Sequence, residues 1–144
     1  MNILVVLDGN AGTLDEAVRL TRERGASLTG LFVREAGWND YLGHDWLSGS
    51  NARSGFLDYV AEQENALEKA VIESFPERAS GVPATLKIAA GRVAEEIVTE
   101  ARQGYDLVVC SNPLTRGLEI VRDGAAVLAR DTPCSLYFVH AARG

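Results

Sequence analysis

Ile3-Leu4-Val5-Val6-Leu7 is an unbroken, mostly branched apolar run that stops at Asp8-Gly9-Asn10. A strand that faces water on one side alternates apolar with polar residues. One without alternation is covered on both faces, as in parallel sheets packed between helix layers. Asp8-Gly9 then supplies a turn, and Thr13-Leu14-Asp15-Glu16 fits a capping box, with Thr13 as the cap and Glu16 reaching back. Leu14, Ala17, Val18 and Thr21 form one inward helix face, and Gly25 offers the left-handed residue that closes it. Leu28–Val33 is a second strand. The chain thus opens as a strand–helix–strand unit.

The same alternation continues outward. A long connection, Arg34 to Arg53, leads into a helix predicted over Ser54–Phe75. Its three-four spacing runs through Leu57, Val60, Glu64, Leu67, Val71 and Ser74. Pro76 and Ser80-Gly81-Val82-Pro83 are its expected stop. Ala84–Ala89 reads as a third strand, with Leu86 and Ile88 alternating with Thr85 and Lys87. Gly91-Arg92 turns into a helix that points Val93, Ala94, Ile97, Val98 and Ala101 inward and ends near Gly104. Asp106–Cys110 is a fourth strand and Cys134–Val139 a fifth. An irregular loop, Ser111 to Gly117, and a helix over Ala125–Arg130 lie between them.

Alternation of this kind predicts an α/β fold, a doubly wound parallel sheet of five strands with right-handed crossovers and helices on both faces. Ligands of such sheets sit beyond the carboxyl ends of the strands, where strand order reverses. That rule directs attention to Asp8, Gly9, Val33, Gly91 and the loop from Ser111 to Ala125.

Composition bounds the rest. The chain has 144 residues, the length of one ordinary domain, and residues 1–144 are expected to form one. Hydrophobic residues make up 47% of it, in short separated runs, none near the roughly 20 apolar residues of a membrane span. The opening residues lack the basic start of a secretion signal. Cys110 and Cys134 both fall in apolar runs, which fits buried thiols in a reducing cytoplasm better than a disulfide scaffold. The net charge of −6 is spread along the chain without a basic block, which argues against nucleic acid or an anionic membrane as partner.

Four pieces assemble into a family likeness: the opening Ile-Leu-Val-Val-Leu-Asp-Gly, the run Gly91-Arg92-Val93-Ala94-Glu95-Glu96-Ile97, the strand Tyr105-Asp106-Leu107-Val108-Val109, and Pro133-Cys134 before the last strand. In this order the set resembles the universal stress protein family over essentially the whole chain. The resemblance implies strand order 3-2-1-4-5, an adenine nucleotide alpha hydrolase-like fold, a homodimer and, in one branch, bound ATP. That branch carries Gly-x-x-Gly after strand 4, nine residues, then Gly-Ser or Gly-Thr. Its glycines bring backbone N–H groups onto phosphate oxygens at a helix start. Aligned on Gly124, Ser111 and Leu114 stand at the two loop glycines and Ala125 at the hydroxyl residue. Asp123 would sit at the helix start, where it competes with phosphate for the same donors. Asp8 and Val33 match the adenine end, although Asp-Gly is also simply a good turn.

The expectation is therefore a homodimeric regulatory module of the stress response that binds an unknown protein partner. It has weak or no ATP binding, no required cofactor and no enzymatic role. The alternative is an ATP- or AMP-binding switch using the crevice between strands 1 and 4. Self-pairing is expected through Cys134–Val139, an apolar edge without proline or lysine. Trp38, Tyr41, Leu42 and Trp46 recur at helical spacing in the long connection, either as a lid or partner patch or as packing on the sheet edge. His44 reads as solvated, because His140 lies far off in sequence and a metal needs several ligands. Glu95 and Glu96 point about 100° apart on a helix and suit its dipole better than paired acid–base work. No Ser/His/Asp or Cys/His arrangement is apparent.

Overall fold

The computed structural model describes residues 1–35, 50–112, 115–116, 119–120 and 124–140; at 35 and within 50–61, 63–64, 115–116, 119–120 and 124–125 the description is of backbone. The elements are β1 (Asn2–Val6), α1 (Ala11–Arg24), β2 (Ser27–Glu35), α2 (Ser50–Arg78), β3 (Ala84–Gly91), α3 (Val93–Ala101), β4 (Leu107–Asn112), β5 (Thr115–Arg116), β6 (Glu119–Ile120), α4 (Gly124–Asp131) and β7 (Ser135–His140). The main sheet has the order β3-β2-β1-β4-β7, all parallel. This is the predicted 3-2-1-4-5 arrangement, with β7 as its fifth strand. A two-residue antiparallel pair, β5 and β6, lies in the β4–α4 connection and was not foreseen.

Two cores flank the sheet. On one face Ile3, Val5, Leu28, Phe32 and Val109 pack with Leu14 and Val18 of α1 and Val71 and Phe75 of α2. On the other, Leu4, Val6, Leu31, Val33, Val108 and Cys110 pack with Val93, Ile97 and Val98 of α3 and Leu128 of α4. Successive side chains of a strand point to opposite faces, so the continuous apolar run of β1 supplies both layers. Its residues 3–6 are at most 3% exposed.

Several boundaries differ from expectation for physical reasons. The N-cap of α1 is Asn10, not Thr13: the Asn10 side-chain oxygen accepts from the N–H groups of Gly12 at 3.0 Å and Thr13 at 3.3 Å. A cap three residues earlier places Thr13 inside the first turn, and Glu16 pairs with Arg19 instead of reaching back. Gly25 closes α1 at φ +61° as predicted.

Helix α2 begins before Ser54 and runs through Pro76 to Arg78. Pro76 cannot donate to the carbonyl of Ile72, and its ring crowds that carbonyl, yet the last turn still forms, and Phe75 accepts from the N–H of Ala79 at 2.9 Å. The chain turns at Gly81, φ +89°. The buried stripe of the described part is Val71, Phe75 and Ala79, with Leu67 half-buried. The side chains of Leu57, Val60 and Glu64 are not described.

Strand β2 continues past Val33 to Glu35, and β3 past Ala89 to Gly91, the two paired in register throughout. As an edge strand β3 leaves Ile88 41% exposed, where alternation had placed it inward. Cys134 is half-buried and precedes β7, rather than lying in a buried strand position. No helix among the described residues is long and apolar enough to cross a membrane.

Candidate functional site

The described residues include four buried polar ones: Asp8, Thr13, Thr21 and Ser111. Thr21 is accounted for locally, since its hydroxyl donates to the carbonyl of Ala17 at 2.7 Å. Asp8 and Ser111 stand at the carboxyl ends of β1 and β4, where the strand order reverses, and Thr13 faces Ser111 from the first turn of α1. Burying a polar group costs free energy unless it is bonded, so such a concentration marks a place where the sequence does more than fill a core.

Asp8 is 6% exposed, and its carboxylate accepts from the N–H of Asn10 at 3.0 Å. Asp8 thereby braces the turn that leads to the Asn10 cap of α1. Gly9 holds φ +90°, and a Cβ there would lie 2.8 Å from Leu67 of α2. The turn therefore needs glycine both for its conformation and for the close approach of α2. Beside it, Leu7, Leu14, Val71, Ser74 and Arg78 line a shallow hollow of about 210 Å³, and Arg78 is itself engaged by Asp15 at 3.1 Å.

Ser111 is 1% exposed, as is Thr13, and their hydroxyl oxygens lie 2.6 Å apart. Alternation along β4 turns Ser111 toward the α1/α2 face, opposite to Cys110. The strand does not open into a loop at this point: Ser111 stays paired with Val139 and Asn112 with His140 of β7. Cys110 is fully buried, and burial, with the negative charge of Asp8 adding to it, pushes its thiol up to about 12. It is protonated at neutral pH and a poor nucleophile. Burial also raises the Cys134 thiol, with Asp106 contributing.

Asp8, Val33 and Ser111 stand within two residues of the carboxyl ends of three adjacent strands. Val33 is 2% exposed and faces α3 and α4 with Val6 and Cys110. Gly91 does not join them. It ends the edge strand β3, and strands spaced by about 4.8 Å put it roughly 10 Å from β1 and 14 Å from β4. Its φ of +150° accommodates the carboxylate of Glu96, which packs where a Cβ would stand. Glu96 is thus half-buried rather than solvated, whereas Glu95 is exposed. Gly124 and Ala125 open α4.

Leu114, Arg122, Asp123, Trp38, Tyr41, Leu42, His44 and Trp46 lie outside the described residues. Among the described residues no three His, Cys, Asp or Glu side chains gather as a metal site. Thr13 is the residue the sequence reading misplaced. The signal was present, because Thr13, Ala17 and Thr21 are four apart and continue one inward stripe once the helix is started at Asn10.

The doubly wound parallel sheet, with buried polar residues where its strand order reverses, defines a class of fold. Comparison with known proteins gives the family. The universal stress protein family matches residues 1–140, and the chain belongs to that family. Among solved structures the chain is similar to universal stress protein UspA from Lactobacillus plantarum, with 21% identity, a TM-score of 0.69, and 96% of this chain and 97% of that one covered. A universal stress family protein from Burkholderia pseudomallei gives 22% identity and a TM-score of 0.61, over 96% and 94%. A universal stress protein solved in complex with cAMP gives 16% identity and 0.58, over 99% and 98%. No curated protein matches the chain in sequence.

Proposed function

We propose that this chain is a homodimeric regulatory module of the stress response, acting through a protein partner, with weak or no binding of ATP and no catalytic role. The observation that carries this reading is the end of β4. A phosphate loop needs successive backbone N–H groups turned toward the ligand, and glycine eases that wrap. Here the first position of the pattern, Ser111, sits in a strand still paired with β7, its hydroxyl committed to Thr13. The protonated state of Cys110 supports a non-catalytic reading. Titration with millimolar Mg-ATP should shift thermal stability little: a dissociation constant of about 1 mM or weaker allows only a few tenths of a kcal/mol at that concentration. The combined change Ser111→Gly, Leu114→Gly, Asp123→Leu and Ala125→Ser should bring the affinity into the micromolar range, a gain of about 4 kcal/mol. Micromolar binding by the unaltered protein would overturn the proposal.

The dimer is proposed to form through β7, whose outer edge has no strand neighbour among the described residues and which carries Tyr137 37% exposed. Sedimentation at micromolar concentration should give twice the 15.5 kDa chain mass, and Tyr137→Lys should halve it. The second reading, an adenine-nucleotide switch, draws on Asp8 and Val33 standing at neighbouring strand ends and on the relative solved with cAMP. Acid release of any small molecule from freshly purified protein, identified by mass, separates the two. One adenine nucleotide per chain favours the switch.

A further inference from the structure

We propose that Thr13 is a specificity-determining positioning residue: its buried hydroxyl latches Ser111 and so keeps the end of β4 closed to polyphosphate ligands. The inference rests on the reading above that this crevice does not take ATP well, and it names the device responsible.

Strand β4 is flanked by β1 and β7, but the two flanks end at different heights. Pairing with β1 stops at Val5 and Val109, because β1 leaves the sheet at the Asp8 turn. Pairing with β7 continues to Asn112. Past Val109 the β1 side of β4 has lost its ladder, and α1 fills the place. Its first turn is held by the Asn10 cap, so Thr13 meets Ser111 from a fixed position, with both residues 1% exposed. A hydroxyl pair 2.6 Å apart in a dry setting is a short bond, and breaking it strands both oxygens. For this backbone to wrap a phosphate chain, Ser111 and Asn112 must peel from β7 and Ser111 must leave Thr13. The latch therefore biases a two-position element toward the strand form, and any ligand needing the loop form meets a lower apparent affinity.

The experiment compares the full-length protein with Thr13→Val, which keeps the shape but loses the hydroxyl, and with Thr13→Ser, which keeps the hydroxyl. Hydrogen–deuterium exchange of the peptide covering the end of β4 should be at least tenfold faster in Thr13→Val and near the unaltered rate in Thr13→Ser. Mg-ATP affinity, read by ligand-observed NMR in the millimolar range, should rise at least fivefold in Thr13→Val alone. Unchanged exchange at β4 in Thr13→Val would overturn the latch while leaving the proposed function standing. Faster exchange with unchanged Mg-ATP affinity would overturn its role in specificity. Micromolar Mg-ATP binding by the unaltered protein, with exchange behaving as expected, would instead overturn both the functional reading and the latch's role in specificity, leaving the Thr13–Ser111 bond as a brace of the β4 end alone.

Discussion

The two faces of the sheet are built on different terms. On the α1/α2 face a large ring is seated directly on the sheet: a Cβ at Gly30 would lie 2.5 Å from Cε2 of Phe75 and 2.9 Å from Leu7. On the α3/α4 face the buried contacts are made by Val, Ala, Leu, Ile97 and the thiol of Cys110, with Tyr105 and Phe138 packed half-buried against them. The first face contains, beside Phe32, a fit in which one large ring meets one missing side chain. The second spreads its burial over many groups. Concentrated packing makes a few positions costly to change, and distributed packing makes none of them decisive. The latch at Thr13 and Ser111 belongs to the first face, so the face with the tightest fit also fixes the crevice.

Removing the ring is the most severe way to break this contrast. Phe75 is 3% exposed, and Phe75→Ala should lower unfolding free energy by about 3–5 kcal/mol. On the opposite face Ile97, fully buried, should lose only about 0.5–1.5 kcal/mol as Ile97→Val. Denaturant titration of both variants checks the order. Equal losses would mean that α2 does not depend on its ring.

Gly30→Ala approaches the same contact from the sheet side. The added methyl must displace an aromatic ring, and the strand has no freedom to move because β2 is paired with both β1 and β3. A loss of about 1–3 kcal/mol is expected. In the Phe75→Leu background, where the ring is gone, the same alanine should cost much less. An alanine equally harmful in both backgrounds would place the problem in the backbone rather than in the ring.

The difference between the faces also explains what the sequence could convey. The alternation of strands and helices, the unbroken run Ile3–Leu7 and the inward positions Val93, Ile97, Val98 and Ala101 are local patterns with a known period, and both layers follow from them. The seating of Phe75 on Gly30 joins residues distant in sequence with no periodic signature, and Gly30 reads only as a weak strand position. The site divides in the same way. Asp8, Val33 and Ser111 follow from the rule that places ligands at strand ends. Gly91 was grouped with them by the same rule but falls on the far edge, because the rule does not rank the strands. Thr13 was hidden by a competing local signal: Thr-x-x-Glu fits a capping box, while Asn10 caps equally well and leaves the threonine for the interior.

The smallest effect expected is on the second face, and its pH-dependent part appears only in alkali. Replacing the fully buried Cys110 by alanine removes one sulfur atom and should cost about 1 kcal/mol at neutral pH. Its pH dependence is more informative. Burial raises the folded-state thiol from 9.0 to about 12, so the folded protein keeps a proton that the unfolded chain releases. The unfolded state binds fewer protons between these values, and stability therefore falls as pH rises above about 9, levelling only past the folded value. Below that window the thiol is protonated in both states and contributes no slope. Tyr105 and Lys87, both raised and both tied to Glu100, add to the alkaline decline but are present in either protein. Cys110→Ala should therefore start lower at pH 7 and lose stability less steeply between pH 9 and 10.5, so that the two denaturation curves converge. Parallel curves across that range would mean that the thiol titrates as it does in the unfolded chain. The second face would then be open to water near Cys110, next to Ser111 at the end of β4.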